Sequence, residues 1–242
     1  MSPVRAVVLD IEGTTGSSSH VRDVLFPYAR KRFAGWFATH RGEPSWTELM
    51  EEMRTYTGDP RLDESGAVAA LTAWSDQDVK APPLKRIQGR IWAEGYARST
   101  LTGHVYDDVP AALARWRQAG VDRYVYSSGS AAAQRDWFAH SGHGDLSGLL
   151  DGYFDLSGAG GKKDPQSYRA ISRAIGVPAP ETVFFSDVGE ELDAATAAGW
   201  RAVAVRRPGD PRGPRVAGHP TVSALDDIRL HRSTRREEEA PT

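Results

Sequence analysis

The chain has 242 residues, of which 40 % are apolar, enough to bury the core of one domain or of a core domain carrying an insertion, so wholesale disorder is excluded. A formal net charge of -2 offers no basic surplus for nucleic acid, and the absence of cysteine excludes disulfide frameworks, thiolate metal sites and cysteine nucleophiles. No apolar run approaches the roughly 20 residues of a membrane span, and the first, residues 4–9, is too short for a signal peptide, so a soluble cytoplasmic protein without a membrane partner is expected.

Residues 5–10 form a short apolar, β-branched run ending in Asp10, the pattern of a strand buried on both faces of a parallel sheet. Gly13 to Gly16 then mark a turn. Residues 21–39 are predicted as one helix, with Leu25, Ala29, Phe33 and Phe37 on a single stripe. A second helix is expected over 62–74. A third, over 84–96, carries Leu84, Ile87, Ile91 and Trp92 on one side and is started by Pro82-Pro83. The whole stretch 16–104 therefore reads as helical. Beyond it, Val109, Leu113 and Trp116 share a helical face that Gly120 terminates. Residues 124–127 are expected as a strand, 131–140 as a helix and 153–155 as a short strand. Residues 165–175 are expected as a helix carrying Tyr168, Ile171 and Ile175, then 182–186 as a buried strand, 191–198 as a helix ended by Gly199, and 202–205 as the last clear strand. The Pro- and Gly-rich stretch 208–220 reads as a surface loop, and the charged tail 231–242 as mobile.

Strands alternating with helices predict an α/β doubly wound parallel sheet. The first strand ends at Asp10 and the second at Ser127, more than a hundred residues later, where an ordinary crossover needs a few dozen. The excess is the helical block. The expected domains are a core of 1–15 and 105–230 and a helical cap inserted over 16–104, lying above the carboxyl edge of the sheet.

Ligands of open α/β sheets bind beyond the carboxyl ends of the strands. Those ends deliver Asp10 and Glu12, Ser127 and Ser128, and Ser186-Asp187 with Glu190 and Glu191 beyond, while Lys162 and Lys163 stand ahead of a helix start. Two ionised carboxylates about 4 Å apart repel by roughly 4 kcal/mol at an effective dielectric near 20, so such a cluster needs a cation. An all-oxygen donor set favours Mg²⁺. The chemistry that follows is in-line attack of Asp10 on phosphorus to give an aspartyl-phosphate, with Glu12 donating a proton to the leaving oxygen and later taking one from water. The Ser127 hydroxyl and the backbone N–H groups of Ser128 and Gly129 hold phosphate oxygens, Lys162 offsets charge, Asp187 holds the metal, and Glu191 supports that shell.

Asp10-x-Glu12-Gly13-Thr14, Ser127, Lys162 and Ser186-Asp187-x-x-x-Glu191 resemble the four motifs of the haloacid-dehalogenase superfamily. The strings Asp10-Ile11-Glu12-Gly13-Thr14-Thr15, Val24-Leu25-Phe26-Pro27-Tyr28-Ala29, Gln88-Gly89-Arg90-Ile91-Trp92, Asp108-Val109-Pro110, Tyr126-Ser127-Ser128-Gly129-Ser130, Gly152-Tyr153-Phe154-Asp155 and Ser167-Tyr168 resemble, more narrowly, the enolase-phosphatase family of methionine salvage, over roughly residues 5–230. The resemblance implies a bifunctional Mg²⁺-dependent monomer that enolises 2,3-diketo-5-methylthiopentyl 1-phosphate and then removes its phosphate, leaving an acireductone. It implies Asp10, Glu12 and Asp187 as metal-binding positions and Ser127, Ser128 and Lys162 as substrate contacts. The distance to Ser167-Tyr168 selects Lys162 over Lys163. Two stretches depart from the family: Gly16 to His20 stands where it has a Thr-Pro-Ile type segment, and the loop 157–163 is one residue longer.

Plainer readings compete at each position. An aspartate after a strand commonly caps a turn, and Ser127 or Ser128 could cap the next helix, a role compatible with phosphate binding. Lys163 and Glu190 read as solvated, and the tryptophans at 36, 74, 92, 116, 137 and 200 as packing residues. His20, His104 and His140 lack metal-ligand spacing. Among rival functions, a phosphatase for another small phosphate ester uses the same core, a dehalogenase would leave Glu12 and Asp187 unexplained, and a non-enzymatic binding protein would have no need of the intact set.

Overall fold

The computed structural model describes residues 3–226 and 228–230; the expectation of a mobile tail over 231–242 lies outside them. The chain divides into two compact units, one made of residues up to Ser17 and from Gly103 onward, the other of Ser18–Thr102.

The first unit is built on a six-stranded, wholly parallel sheet. Its strands are β1 (Ala6–Leu9), β2 (Asp122–Tyr126), β3 (Gly152–Phe154), β4 (Thr182–Ser186), β5 (Arg201–Val205) and β6 (Thr221–Val222), in the spatial order β3-β2-β1-β4-β5-β6. Every residue of β1 is fully buried, as its unbroken apolar run demands. Val8 stands between Tyr124 of β2 and Phe184 of β4. The order reverses at β1, so the ends of β1, β2 and β4 are neighbours at a topological switch point, where such sheets bind ligands.

Helices Asp108–Gln118, Ala131–Ala139, Pro165–Ile175 and Gly189–Ala197 connect these strands. Asp164 caps the third through its side chain on the Gln166 N–H, with Pro165 in the first turn and left-handed Gly176 closing it. Its apolar face buries Tyr168 and Ile171 against Tyr126, Phe184 and Trp200. The two-residue β6 goes unread in the sequence because it is shorter than any periodicity and follows the Pro- and Gly-rich loop.

The second unit is helical and has its own core of Phe33, Trp36, Phe37, Leu49, Met50, Met53, Leu71 and Ile87. The expected single helix over 21–39 is broken. A π-turn over Val21–Leu25, closed by the Phe26 N–H on the Val21 carbonyl, leads into Phe26–Arg30, and Phe33–His40 follows separately. Pro27 has no N–H to give to the ladder, which accounts for the wide turn just ahead of it. Helix Pro44–Thr57 lies in the stretch expected to be helical, where the sequence reading sets no bounds for it, although Trp46, Leu49, Met50 and Met53 recur at helical spacing and Gly58 ends it in the left-handed conformation. The other two helices run over Glu64–Asp76 and Pro82–Ala97. Among the described residues no helix is long and apolar enough to cross a membrane.

Candidate active site

The site begins with the tight turn that follows β1. The Asp10 N–H still pairs with the Phe185 carbonyl at 2.9 Å, so its position is fixed by the sheet. The carbonyl of Ile11 then accepts from the N–H groups of Thr14 (3.1 Å), Thr15 (3.0 Å) and Gly16 (2.8 Å), curling the loop back on itself. Thr14 and Thr15, both fully buried, turn their hydroxyls inward: Thr14 donates to Asp10 Oδ2 at 3.2 Å and Thr15 to the Asp10 carbonyl at 2.8 Å. The glycine that opens the departing stretch 16–20 is required by close approach. A Cβ on Gly16 would stand 2.5 Å from the His104 carbonyl oxygen and 2.7 Å from the Trp137 ring. Glu12, half-buried, pairs with Gly16 through a backbone bridge in the same loop.

Lys162 meets this loop from across the sheet. Its ammonium lies 2.5 Å from Asp10 Oδ1 and 2.7 Å from Glu191 Oε2, over the rings of Tyr126 and Phe184 at 5.8 and 5.9 Å. Glu191 is fixed in turn by the Ser186 hydroxyl at 2.8 Å. The backbone of Lys162 is held by the Tyr168 hydroxyl, which donates to its carbonyl at 2.6 Å. The loop ahead of it turns at Gly160, whose φ of +103° only glycine adopts readily and where a Cβ would meet the Ser167 hydroxyl at 2.6 Å. Burial works to lower the Lys162 pKa, but Asp10 and Glu191 outweigh it and hold the ammonium above the ordinary lysine range. Burial pushes the Asp10 carboxyl upward, with Lys162 opposing. Lys163, by contrast, points outward to a solvent-exposed pairing with Glu190 at 2.9 Å.

Beyond β2, Ser127 is buried and its N–H pairs with the Phe154 carbonyl at 3.2 Å, while Ser128 and Gly129 are exposed. The following helix is capped by Ser130, whose hydroxyl accepts from the Ala133 N–H, so neither Ser127 nor Ser128 is spent on capping. Two residues that sequence reasoning missed shape this loop. Gln134 Nε2 donates to the carbonyls of Gly129 (2.7 Å) and Phe154 (2.8 Å). Asp155 accepts from the N–H groups of Ala131, Ser157 and Gly158 at 2.9, 3.0 and 2.9 Å. Gln134 is a buried polar residue of the helix Ala131–Ala139 and Asp155 stands in the short connection after β3, and in neither place does hydrophobic periodicity flag a polar side chain.

Asp187, at the end of β4, is 3 % exposed. Its Oδ2 is held by Arg212, a residue of the 208–220 loop that also binds Asp210, while its Oδ1 is buried without a hydrogen-bond partner among the described residues. Burial raises the Asp187 carboxyl from its ordinary range, and the charge of Asp10 adds to that, with Arg212 opposing. Among the described residues no three His, Asp or Glu side chains are gathered as a ready-made metal cluster. Lys162 and Arg212 are the cations that stand on the two buried aspartates. The donor set nevertheless suits a hard divalent cation: every available donor is oxygen, the two buried carboxylates lie in each other's field, and the Asp187 Oδ1 lone pairs are open.

The arrangement places a buried carboxylate against a fixed ammonium, beside a second buried carboxylate and the loop after β2 with its exposed Ser128 and Gly129. That combination can take a phosphoryl group onto the carboxylate and stabilise its charge.

Comparison with known proteins points the same way. A family model described as haloacid dehalogenase-like hydrolase matches residues 4–199. The enolase-phosphatase E1 of Streptomyces avermitilis is 47 % identical over 232 residues, covering 96 % of this chain and 97 % of its own. That of Frankia alni is 49 % identical over 222 residues, covering 91 % and 93 %. Among solved structures, the UTR4 protein of Saccharomyces cerevisiae superposes with a TM-score of 0.77 at 30 % identity, covering 93 % of this chain and all of its own.

Proposed function

The chain belongs to the haloacid dehalogenase-like hydrolases and, within them, to the enolase-phosphatase E1 family, and from that premise we propose how its own residues carry the reaction. It is an enolase-phosphatase of methionine salvage, which enolises 2,3-diketo-5-methylthiopentyl 1-phosphate and hydrolyses the phosphate to release the acireductone 1,2-dihydroxy-3-keto-5-methylthiopentene. The observation that carries the residue assignment is the buried Lys162 bridging Asp10 and Glu191 at 2.5 and 2.7 Å.

In this reading the Asp10 carboxylate attacks phosphorus in line, displacing the leaving oxygen to form an aspartyl-phosphate. Glu12 gives that oxygen its proton and then takes one from the water that cleaves the intermediate. The Ser127 hydroxyl, with the N–H groups of Ser128 and Gly129, binds the non-transferring oxygens. Lys162 stays positive throughout and offsets charge on the phosphoryl group. Mg²⁺, which hydrolases of this class generally use, would be held by Asp10, Glu12 and Asp187 and would neutralise the charge of carboxylates and phosphate together. The helical unit acts as the cap of such hydrolases, and the protein works as a monomer.

The test is an anaerobic absorbance trace with the diketone phosphate and Mg²⁺, with phosphate assayed in parallel. The enediol chromophore and phosphate should both appear, and chelation should stop phosphate release. Phosphate release from other esters without enediol would make the protein a phosphatase of another small ester. Full turnover after chelation would remove Mg²⁺ from the account.

A further inference from the structure

Among the described residues, the most heavily bonded buried cation outside the site is Arg207. It follows the end of β5, only 7 % exposed, two strands away from β1. Its guanidinium makes a fork on one atom: Nε and Nη2 donate to the Thr14 carbonyl oxygen at 2.9 and 2.6 Å. Nη1 donates to both carboxylate oxygens of Asp108 at 2.8 Å each and reaches the Ser223 carbonyl at 3.4 Å. The Tyr106 ring stacks on it, 4.2 Å from the guanidinium carbon. Asp108 is itself anchored by the Leu225 N–H at 2.6 Å.

A buried arginine needs a counter-ion, and Asp108 meets that need alone. The two further donors spent on Thr14 are not required by charge balance. They fall on the residue whose hydroxyl holds Asp10 Oδ2, in the loop where Thr15 holds the Asp10 carbonyl. Each bond is charge-assisted, so together they hold the Thr14 carbonyl oxygen in place.

We infer that Arg207 is a positioning residue for phosphoryl transfer: by clamping the Thr14 carbonyl it keeps the Thr14 hydroxyl on Asp10 and so holds the nucleophile in line. The inference rests on the reading of Asp10 as nucleophile. Arg207 lies behind the loop and makes no contact with substrate in this scheme, so its loss lowers kcat and leaves KM.

Arg115 supplies the matched control. Its Nη2 donates to the carbonyls of Leu225 and Asp226 at 3.3 and 2.9 Å, tying down the same segment as Asp108 without touching the loop 10–16. The experiment measures kcat, KM and thermal midpoint of the full-length, Mg²⁺-loaded protein on the diketone phosphate and on p-nitrophenyl phosphate. The variants are Arg207→Lys, Thr14→Val, their combination, Arg115→Ala and Asp10→Asn. Arg207→Lys keeps the charge but not the fork, and its kcat should fall about tenfold or more with KM within about twofold. Thr14→Val should lower kcat, and the double variant should be no slower than the worse single one, because both act on one hydroxyl. Arg115→Ala should keep kcat within about twofold even where its thermal midpoint falls as far. A wild-type kcat in Arg207→Lys, additive losses in the double variant, or an equal loss in Arg115→Ala would each overturn the inference. Should Arg207→Lys not fold, Asp108→Asn, which keeps an acceptor for Leu225, is read by the same criteria. Asp10→Asn separates the two claims. Phosphate release by it removes the nucleophile reading itself, whereas its silence beside an unaffected Arg207→Lys removes only Arg207.

Discussion

Two adjacent lysines with different surroundings give the sharpest contrast at the level of single residues. Lys162 is held by Asp10 and Glu191 inside the sheet edge, and Lys163 pairs with Glu190 in solvent. Removing a preorganised charge from a buried site costs about a hundredfold or more in rate, whereas exposed pairs contribute little. Lys162→Ala should therefore lower phosphate release by about that factor and Lys163→Ala leave it within about twofold; equal effects would show that the assignment of the lysine is wrong. The placement of Asp10, Lys162 and Asp187 was legible in the sequence because Asp10 and Asp187 each follow an apolar strand and Lys162 stands just ahead of a helix start. Arg207 and Arg212 were not. An arginine in a Pro- and Gly-rich stretch looks solvated until the fold shows what faces it, and both find carboxylates distant in sequence. Thr14 was visible only as part of a motif, since the direction of a hydroxyl is set by the curl of the loop.

The loop after β2 illustrates how a short element is held. Asp155 ties it to the next connection by accepting three backbone N–H groups and the Ser157 hydroxyl. Burial alone would raise its carboxyl, but these hydrogen bonds outweigh it and hold the group below the ordinary aspartate range. A folded-state pKa below the unfolded value of about 3.9 means stability that is present above that pH and lost as the pH falls through the folded value. Asp155→Asn should thus be less stable than the wild type at pH 7, by about 1 kcal/mol as for loss of a capping carboxylate. The gap should narrow as unfolding is followed down through the folded-state value; a gap that does not change with pH would refute the assignment. Elements with strong local signals were read closely, as at Pro165–Ile175, where a capping aspartate, a proline and a terminal glycine agree with the apolar stripe. Those that failed did so for local reasons. Pro27 interrupts an otherwise continuous stripe, and Pro44–Thr57 carries so many polar residues that its four apolar positions are easily passed over.

Each of the two units has a core of its own at the scale of the whole molecule, one around Phe33, Phe37 and Met50 and the other around Tyr168, Ile171 and Phe184. Phe33→Ala should cost about 3–5 kcal/mol and Ile171→Ala about 2–5 kcal/mol in urea unfolding. The double variant should lose the sum within about 0.5 kcal/mol, because the clusters share no residues; a markedly smaller loss would show that the cores are coupled. The parallel sheet was legible from buried β-branched runs alternating with helices, and the two-residue β6 was not, because an edge of that length has no pattern to read. The sheet order puts the ends of β1, β2 and β4 side by side, and this brings residues far apart in sequence to one carboxylate. The central claim is that this carboxylate, Asp10, carries the phosphoryl group. The most direct measurement is to quench the enzyme in acid during turnover, reduce it with borohydride and map the peptides by mass spectrometry. An aspartyl-phosphate is reduced to homoserine, so homoserine at position 10, absent without substrate, is the predicted result. Homoserine at another position, or an unmodified residue 10 with Asp10→Asn still releasing phosphate at the wild-type rate, would contradict the account.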